Sequence, residues 1–414
     1  MNPNDVLPIL RPVEVIPLGE DENESFLLRD PQRLADHMIT ISRPVLFCLQ
    51  YFDGQTQAAT LADLWRQISE GHELPMDQLE QVIAELDRVY LLDNPNSQAR
   101  EAAVRAEFQA LAVRPHRFGD AVEEVAAVLN RGYEAAGLPA PAAIANEGDD
   151  LAGLVAPHID YLRGSAAWGK AYALAKRRFA GDVVVVLGTN HQSHGHPLAL
   201  TRKHYDTPFG EVRTAIDLVD ELAAALPFDA FADEFCHRDE HSIELAAVAL
   251  KHAFGDRCPA IVPVICGSLD GFVQQKLHPA NVEFVSAFHQ ALRRIIDREG
   301  KRVLVLTSVD FAHLGPQFGA AEPIEDAALE TSLARDRRLL ELIGQGRAEE
   351  LFNAIIAEEN ERNVCGVAPL YHALQCLSEI EGREPSLHCW KAEDGSGAVS
   401  FAVLGLIRKE ATPR

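Results

Sequence analysis

The 414 residues contain no run of about 18 consecutive apolar residues, the length a helix needs to cross a bilayer, so no membrane span is expected. The opening Met1-Asn2-Pro3-Asn4-Asp5 lacks the basic and apolar regions of a secretory signal. Cysteine is sparse: seven residues, an odd number, scattered and without CxxC spacing, which excludes a disulfide framework and a zinc finger. A reducing cytoplasm is the compartment this implies. GxSxG, P-loop and GxGxxG motifs are absent too, so the hydrolase-elbow, nucleotide-phosphate and Rossmann readings lack their signatures. Basic residues are few, 38 against 62 acidic, and the formal charge is -24. A field of that sign repels phosphate backbones and anionic lipid, so neither nucleic acid nor a membrane is expected as a partner. The 47% of hydrophobic residues leave ample material for a globular core.

Residues 1–100 read as a small separate module, mostly helical. Phe26-Leu27-Leu28 is a short strand candidate, a helix-like stretch follows to about Ile41, and Pro44 opens an apolar run over residues 45–52. Asp53-Gly54 signals a turn. Thr60 takes the N-cap place ahead of Leu61, Leu64, Trp65 and Ile68, and Leu79, Val82, Ile83 and Leu86 repeat the helical spacing. Tyr90-Leu91-Leu92 reads as a closing strand, and Asn94-Pro95-Asn96-Ser97 as the end of the module. Three short helices with marginal strands resemble a winged helix. The acidic Asp63, Glu70, Asp77, Glu80 and Glu85 on the second and third helices speak against its usual DNA-binding role and for protein docking or packing.

Ala-rich helical sequence follows over residues 101–111 and 120–137, and from residue 151 the pattern changes. Apolar strand-length runs at 151–155, 183–187, 261–266, 303–306 and 401–407 alternate with helical stretches at 165–179, 239–253, 281–299 and 325–344. Continuous apolar strands between helices predict a buried sheet covered on both faces. Residues 106–414 are therefore expected to form one three-layer α/β domain with a mixed or parallel central sheet.

The residues just past the strands carry the chemistry. The first strand leads into Ala156-Pro157-His158-Ile159-Asp160, the second into Gly188-Thr189-Asn190-His191, and the fourth into Thr307-Ser308-Val309-Asp310-Phe311-Ala312-His313. One histidine after a strand is usually a turn residue, and that plain reading is kept for His194, His196, His204, His237 and His252, with His116 undecided. Three at the carboxyl ends of three strands point to a shared site, since open α/β sheets bind ligands at that edge. Two histidines with one anionic ligand make an open metal site, and Asp310 and Cys365 are the candidate anions. Cys365-Gly366 precedes a helix-like stretch at 370–380, and a helix start favours thiolate. Cys48, Cys258, Cys266 and Cys376 read as inert buried residues. Glu240 and His241 open a further helix, either as ordinary helix-start chemistry or as an acid–base pair facing the cleft.

Ala156-Pro157-His158, Leu187-Gly188-Thr189-Asn190-His191, Thr207-Pro208-Phe209-Gly210, Glu240-His241-Ser242-Ile243-Glu244, Ile261-Val262-Pro263-Val264, Ser308-Val309-Asp310-Phe311-Ala312-His313 and Cys365-Gly366, in this order, resemble the Memo family. In bacteria and archaea that family resembles protein B of the AmmeMemoRadiSam system. The resemblance implies a fold like that of class III extradiol dioxygenases. It implies metal ligation by His158, His191 and Cys365, with Asp310, His313 and His241 as catalytic groups of the same cleft. It further implies a non-heme-iron-type redox enzyme working on an unidentified small molecule, with radical-SAM and AMMECR-type protein partners. Fe(II) is the expected ion, with copper or zinc as alternatives. A non-catalytic metal-binding adaptor and a zinc hydrolase are the competing readings. Ile159-Asp160 stands where the family usually has a glycine and an aromatic, and Val309 is inserted ahead of Asp310.

Overall fold

The computed structural model describes residues 2–18, 25–35, 37–119, 121–191 and 197–409, and the chain divides into two compact units, Met1–Ala110 and Leu111–Arg414. No helix among the described residues is long and apolar enough to cross a membrane.

The first unit opens with a three-stranded antiparallel meander, β1 (Glu14–Leu18), β2 (Ser25–Arg29) and β3 (Ile39–Ser42), followed by α1 (Arg43–Leu49), α2 (Ala58–Ile68), α3 (Met76–Arg88) and α4 (Pro95–Ala110). The expected helix running to Ile41 is not there. The Asp30 carboxylate accepts N–H bonds from Gln32, Leu34 and Ala35, which turns the chain, and the β-branched Ile39, Thr40 and Ile41 pair with β2 instead. Thr60 is not the N-cap: α2 starts at Ala58, and Gln57, three residues earlier, takes that place. Tyr90-Leu91-Leu92 forms no strand, and Leu92 makes only an isolated bridge to Leu10. Asn94–Ser97 starts a helix rather than ending a module, because the Asn94 side chain accepts the N–H groups of Asn96 and Ser97. A small sheet packed with helices is what these elements amount to.

The second unit is a mixed eight-stranded sheet between two helical layers. It contains β4 (Val113–Arg114), α5 (Val122–Ala135), β5 (Leu151–Ala156), α6 (Ser165–Arg178), β6 (Val183–Thr189), β7 (Leu198–Leu200) and β8 (His204–Tyr205). Next come α7 (Ile216–Ala224), α8 (His241–Phe254), β9 (Ala260–Cys266), α9 (Asp270–Gln275), α10 (Glu283–Glu299), β10 (Val303–Ser308) and β11 (His313–Leu314). The chain ends with α11 (Asp326–Gly344), α12 (Ala348–Ala357), α13 (Val367–Cys376), β12 (Ile380–Lys391) and β13 (Ala398–Arg408). The sheet order is β11-β13-β5-β10-β6-β9-β7, with β12 on β13; β5, β10, β6 and β9 are parallel, and β13 and β7 run against them. Val183, Val185 and Leu187 of β6 face one helical layer, and Val184 and Val186 the other. A strand apolar on both faces has no other stable place.

Between α10 and α13, His289 Nε2 and His372 Nδ1 lie 2.9 Å apart, buried. Burial holds His289 down to about 4 and His372 well below its ordinary value. His237, enclosed between the Tyr205 hydroxyl and the Ala199 carbonyl, is pushed by burial down to about 3. These imidazoles stay neutral in the folded chain, while the unfolded chain protonates them near pH 6.5. Stability is therefore full above pH 6.5 and falls towards pH 4, by up to about 1.4 kcal/mol per pH unit for each histidine. Denaturant midpoints measured at pH 7.5 and pH 5 should differ clearly, and coinciding midpoints would refute the account.

Candidate metal centre

Parallel register builds the site. Ser308 of β10 pairs with Ala156 of β5 on one side and Gly188 of β6 on the other, so the residues just beyond all three strands emerge at one sheet edge. His158, His191 and Asp310 occupy those positions. α8 delivers His241 to the same edge because Gly188 has no side chain: a Cβ there would stand 2.5 Å from Ser242 Oγ. Cys365 arrives on the turn before α13, where a Cβ on Gly366 would meet Val309 at 2.7 Å and the Asp310 carbonyl at 2.8 Å. Small residues thus permit the close approach of two helix starts to the strand ends.

The ligand atoms of His158, His191 and His241 lie within 4.8 Å of one another, and their ring centroids are 4.6 to 5.2 Å apart. Cys365 Sγ is 3.3 Å from His158 Nε2 and also hydrogen-bonds His191. Each inner imidazole is held from behind. His158 Nδ1 is 2.9 Å from the Ser308 carbonyl, and His191 Nδ1 is 2.9 Å from Glu240 Oε1. A carbonyl or carboxylate at Nδ1 keeps the proton there and leaves Nε2 as a free donor to an ion. Ligands bonded to one ion at about 2.1 Å (nitrogen) and 2.3 Å (sulfur) sit roughly 3.5 Å apart in a tetrahedral set. The 3.3 Å between Cys365 Sγ and His158 Nε2 suits that arrangement, so the donors present fit a divalent metal.

Glu240 ties the site together. Its buried carboxylate accepts the backbone N–H of His191 at 2.8 Å and of Ser242 at 2.8 Å, and lies 3.3 Å from His241 Nδ1. It therefore caps α8 while orienting two imidazoles. Asp310 Oδ1 accepts the His158 N–H at 3.1 Å, and Oδ2 is 3.7 Å from His158 Nε2. His313 opens β11, where its Nδ1 is 3.1 and 3.2 Å from the Phe311 and Asn363 carbonyls and its ring packs on Phe318.

Charges follow from these contacts. Burial, with His191 and His241 nearby, holds His158 well below its usual value, and burial holds His241 down to about 4. Burial also opposes protonation of His191, but the Glu240 charge and the Cys365 hydrogen bond outweigh it and raise His191 well above the usual value. Burial acts upwards on Glu240 too, yet the two imidazoles and the Ser242 N–H keep it well below the carboxylate range. Asp310 is pushed by burial up to about 7, against the N–H bonds from His158 and Ile159. Burial raises the Cys365 thiol.

His241 thus joins the histidine group itself, where the sequence suggested an acid–base residue or a plain helix start. The dual role of Glu240 was missed as well, because an acidic residue at a helix start is ordinary capping chemistry and carries no sign of what it faces. His204, His237 and His252 lie elsewhere: His204 accepts from Thr214 N, and His252 packs on Tyr133 and Phe209. His116 sits 3.6 Å from Asp206, and His194 and His196 are outside the described residues. Glu240→Ala should weaken metal affinity by about 10–100-fold while Glu240→Gln, which keeps an acceptor, loses less. Competition with a chromophoric chelator measures this, and equal affinity in all three proteins would contradict it.

Comparisons with known proteins concern mainly the second unit. The family described as Memo-like protein matches residues 122–403. A MEMO1 family protein of Aquifex aeolicus is 24% identical over 393 residues, covering 92% of this chain and 93% of its own length. That match is too long to be confined to the second unit. A MEMO1 family protein of Methanosarcina acetivorans is 27% identical over 250 residues, covering 60% of this chain and 81% of its own. The crystal structure of the uncharacterized protein JW3007 of Escherichia coli K12 covers 62% of this chain and 99% of its own, with a TM-score of 0.34 and 14% identity.

Proposed function

Because this chain belongs to the Memo-like protein family, we propose that it is a metal-dependent oxidoreductase of the non-heme-iron type, acting on a small molecule. The observation that carries the reading is the convergence of His158 Nε2, the His191 ring and Cys365 Sγ, with both Nδ1 positions held from behind. His158, His191 and Cys365 would hold the ion, which supplies Lewis acidity and, as iron, one-electron chemistry. The chain's own groups have separate tasks. Glu240 and the Ser308 carbonyl fix the imidazoles, and Asp310 anchors the His158 backbone. His241, whose side chain is 41% exposed, is the group best placed to meet a substrate and to exchange protons with it at its ring nitrogen. His313 and Asp310 complete the acid–base set. The reading extends to a cytoplasmic setting and to radical-SAM and AMMECR-type partners, as in an AmmeMemoRadiSam system.

One observation favours a second reading. Three histidines with mutually close ligand atoms are also a catalytic zinc set, which suits hydrolysis or hydration. Elemental analysis of anaerobically purified protein separates the two. The oxidoreductase reading expects about one iron per chain and oxygen uptake with some member of a catechol and phenol panel. Stoichiometric zinc with no oxygen uptake would sink it in favour of the zinc enzyme, and bound iron without any turnover would favour an adaptor.

A further inference from the structure

The first unit carries a feature that the metal centre does not use. β3 pairs with β2 alone, and among the described residues no strand lies along its other edge. An edge strand presents a row of N–H and C=O groups to whatever approaches it. Beside this edge runs a groove of about 480 Å³, lined by β3 itself, by Val45 of α1, and by Val82, Glu85 and Leu86 of α3. That volume is within the range of ligand clefts. Ile39, Val45 and Val82 are only half-buried, and Met38, just before β3, is 59% exposed. The groove therefore offers strand backbone along one side, apolar side chains in its floor and a carboxylate on its wall.

We propose that this groove takes an extended peptide segment of another protein, alternately apolar and basic, which adds to β3 as a fourth strand. Main-chain bonds to β3 would hold the segment, and its apolar side chains would fill the space between β3 and α3. Charge selects the basic partner. Residues 1–110 carry 19 acidic and 8 basic side chains, none of them lysine. Glu85 lines the groove, and Asp77 and Glu80 lie exposed on the same helix. The Arg88 partner of Glu85 is an exposed i,i+3 contact, which an incoming cation can displace. The same charge repels nucleic acid. It also disfavours a second copy of this chain, since pairing β3 with β3 would bring together two units of the same net negative charge.

The test uses the full chain and a fluorescein-labelled peptide of alternating lysine and valine, read by anisotropy. A glutamate–valine peptide and a lysine–valine peptide N-methylated along one edge serve as controls. Saturable binding is expected, about tenfold or more tighter for the lysine peptide than for either control, and weakened by salt. Glu85→Lys, an exposed helix substitution that leaves thermal unfolding unchanged, should weaken binding about tenfold. Backbone amides of residues 39–42 should exchange more slowly in the complex. No binding of the lysine peptide up to about 1 mM would overturn the proposal. So would equal binding of either control, indifference to Glu85→Lys, protection confined to other residues, or dimerisation of the chain through β3.

Discussion

His158→Ala and His191→Ala should each remove most of the bound metal. Two of the three inner donors come from these rings, and both are held by hydrogen bonds at Nδ1 that the alanine variants make pointless. Loss of one ligand from a three-residue set leaves too few bonds to hold a labile divalent ion against water. Three further variants sort the remaining groups. Cys365→Ser should weaken binding and shift selectivity away from soft metals, because a thiolate favours them. His241→Ala should change metal content less than either inner histidine if Cys365 is the third ligand, and as much if the three-histidine set is the true one. Asp310→Asn should leave the metal in place, since that side chain bonds the His158 backbone. Elemental analysis scaled to protein concentration reads all five. Full occupancy in both inner histidine variants would remove the site assignment, and loss in Asp310→Asn with Cys365→Ser unaffected would make the carboxylate the third ligand.

Glu244→Ala should be among the most destabilising single changes, costing about 3–5 kcal/mol. Arg114 and Glu244 are 0% and 2% exposed, with Arg114 NH1 2.6 Å from Glu244 Oε1. Glu244 also accepts the Arg117 N–H at 2.9 Å and its Nε at 2.7 Å. Removing the carboxylate leaves the Arg114 guanidinium buried against carbonyl groups and the Tyr205 ring without its bonded carboxylate, and an uncompensated buried charge is expensive. Arg114 also donates to the carbonyls of His237 and Arg238, the segment that leads into α8. The variant should therefore loosen the start of α8, and with it His241, as well as lower the unfolding temperature of the second unit by several degrees. Glu244→Gln keeps acceptor geometry and should cost less. Calorimetry of the three proteins checks the order, and a change below about 0.5 kcal/mol in Glu244→Ala would show that the pair is not held as described.

Most of the second unit's layering was legible in the residues. Val183-Val184-Val185-Val186-Leu187 is apolar on both faces, and only a central strand between two helical layers can bury it so. β12 was missed because its residues alternate poorly, with Glu381, Arg383 and Glu384 on an exposed outer strand that no hydrophobic period marks. In the first unit two of the errors came from local side-chain bonds that compete with propensity: Asp30 turned a presumed helix, and Asn94 began one where a boundary was expected.

The placement of His158, His191 and Asp310 at strand ends is a property of the sequence, because strand length and turn residues are local and parallel pairing carries all three to one edge. Which groups then meet was decided only by the tertiary structure. Cys365 reaches His158 across 207 positions of chain, through a turn that Gly366 lets press on Val309. His241 and Glu240 reach His191 because Gly188 admits α8 against β6. Such contacts depend on the packing of elements far apart in the chain, and a pairwise distance between distant residues leaves no periodic trace in either segment.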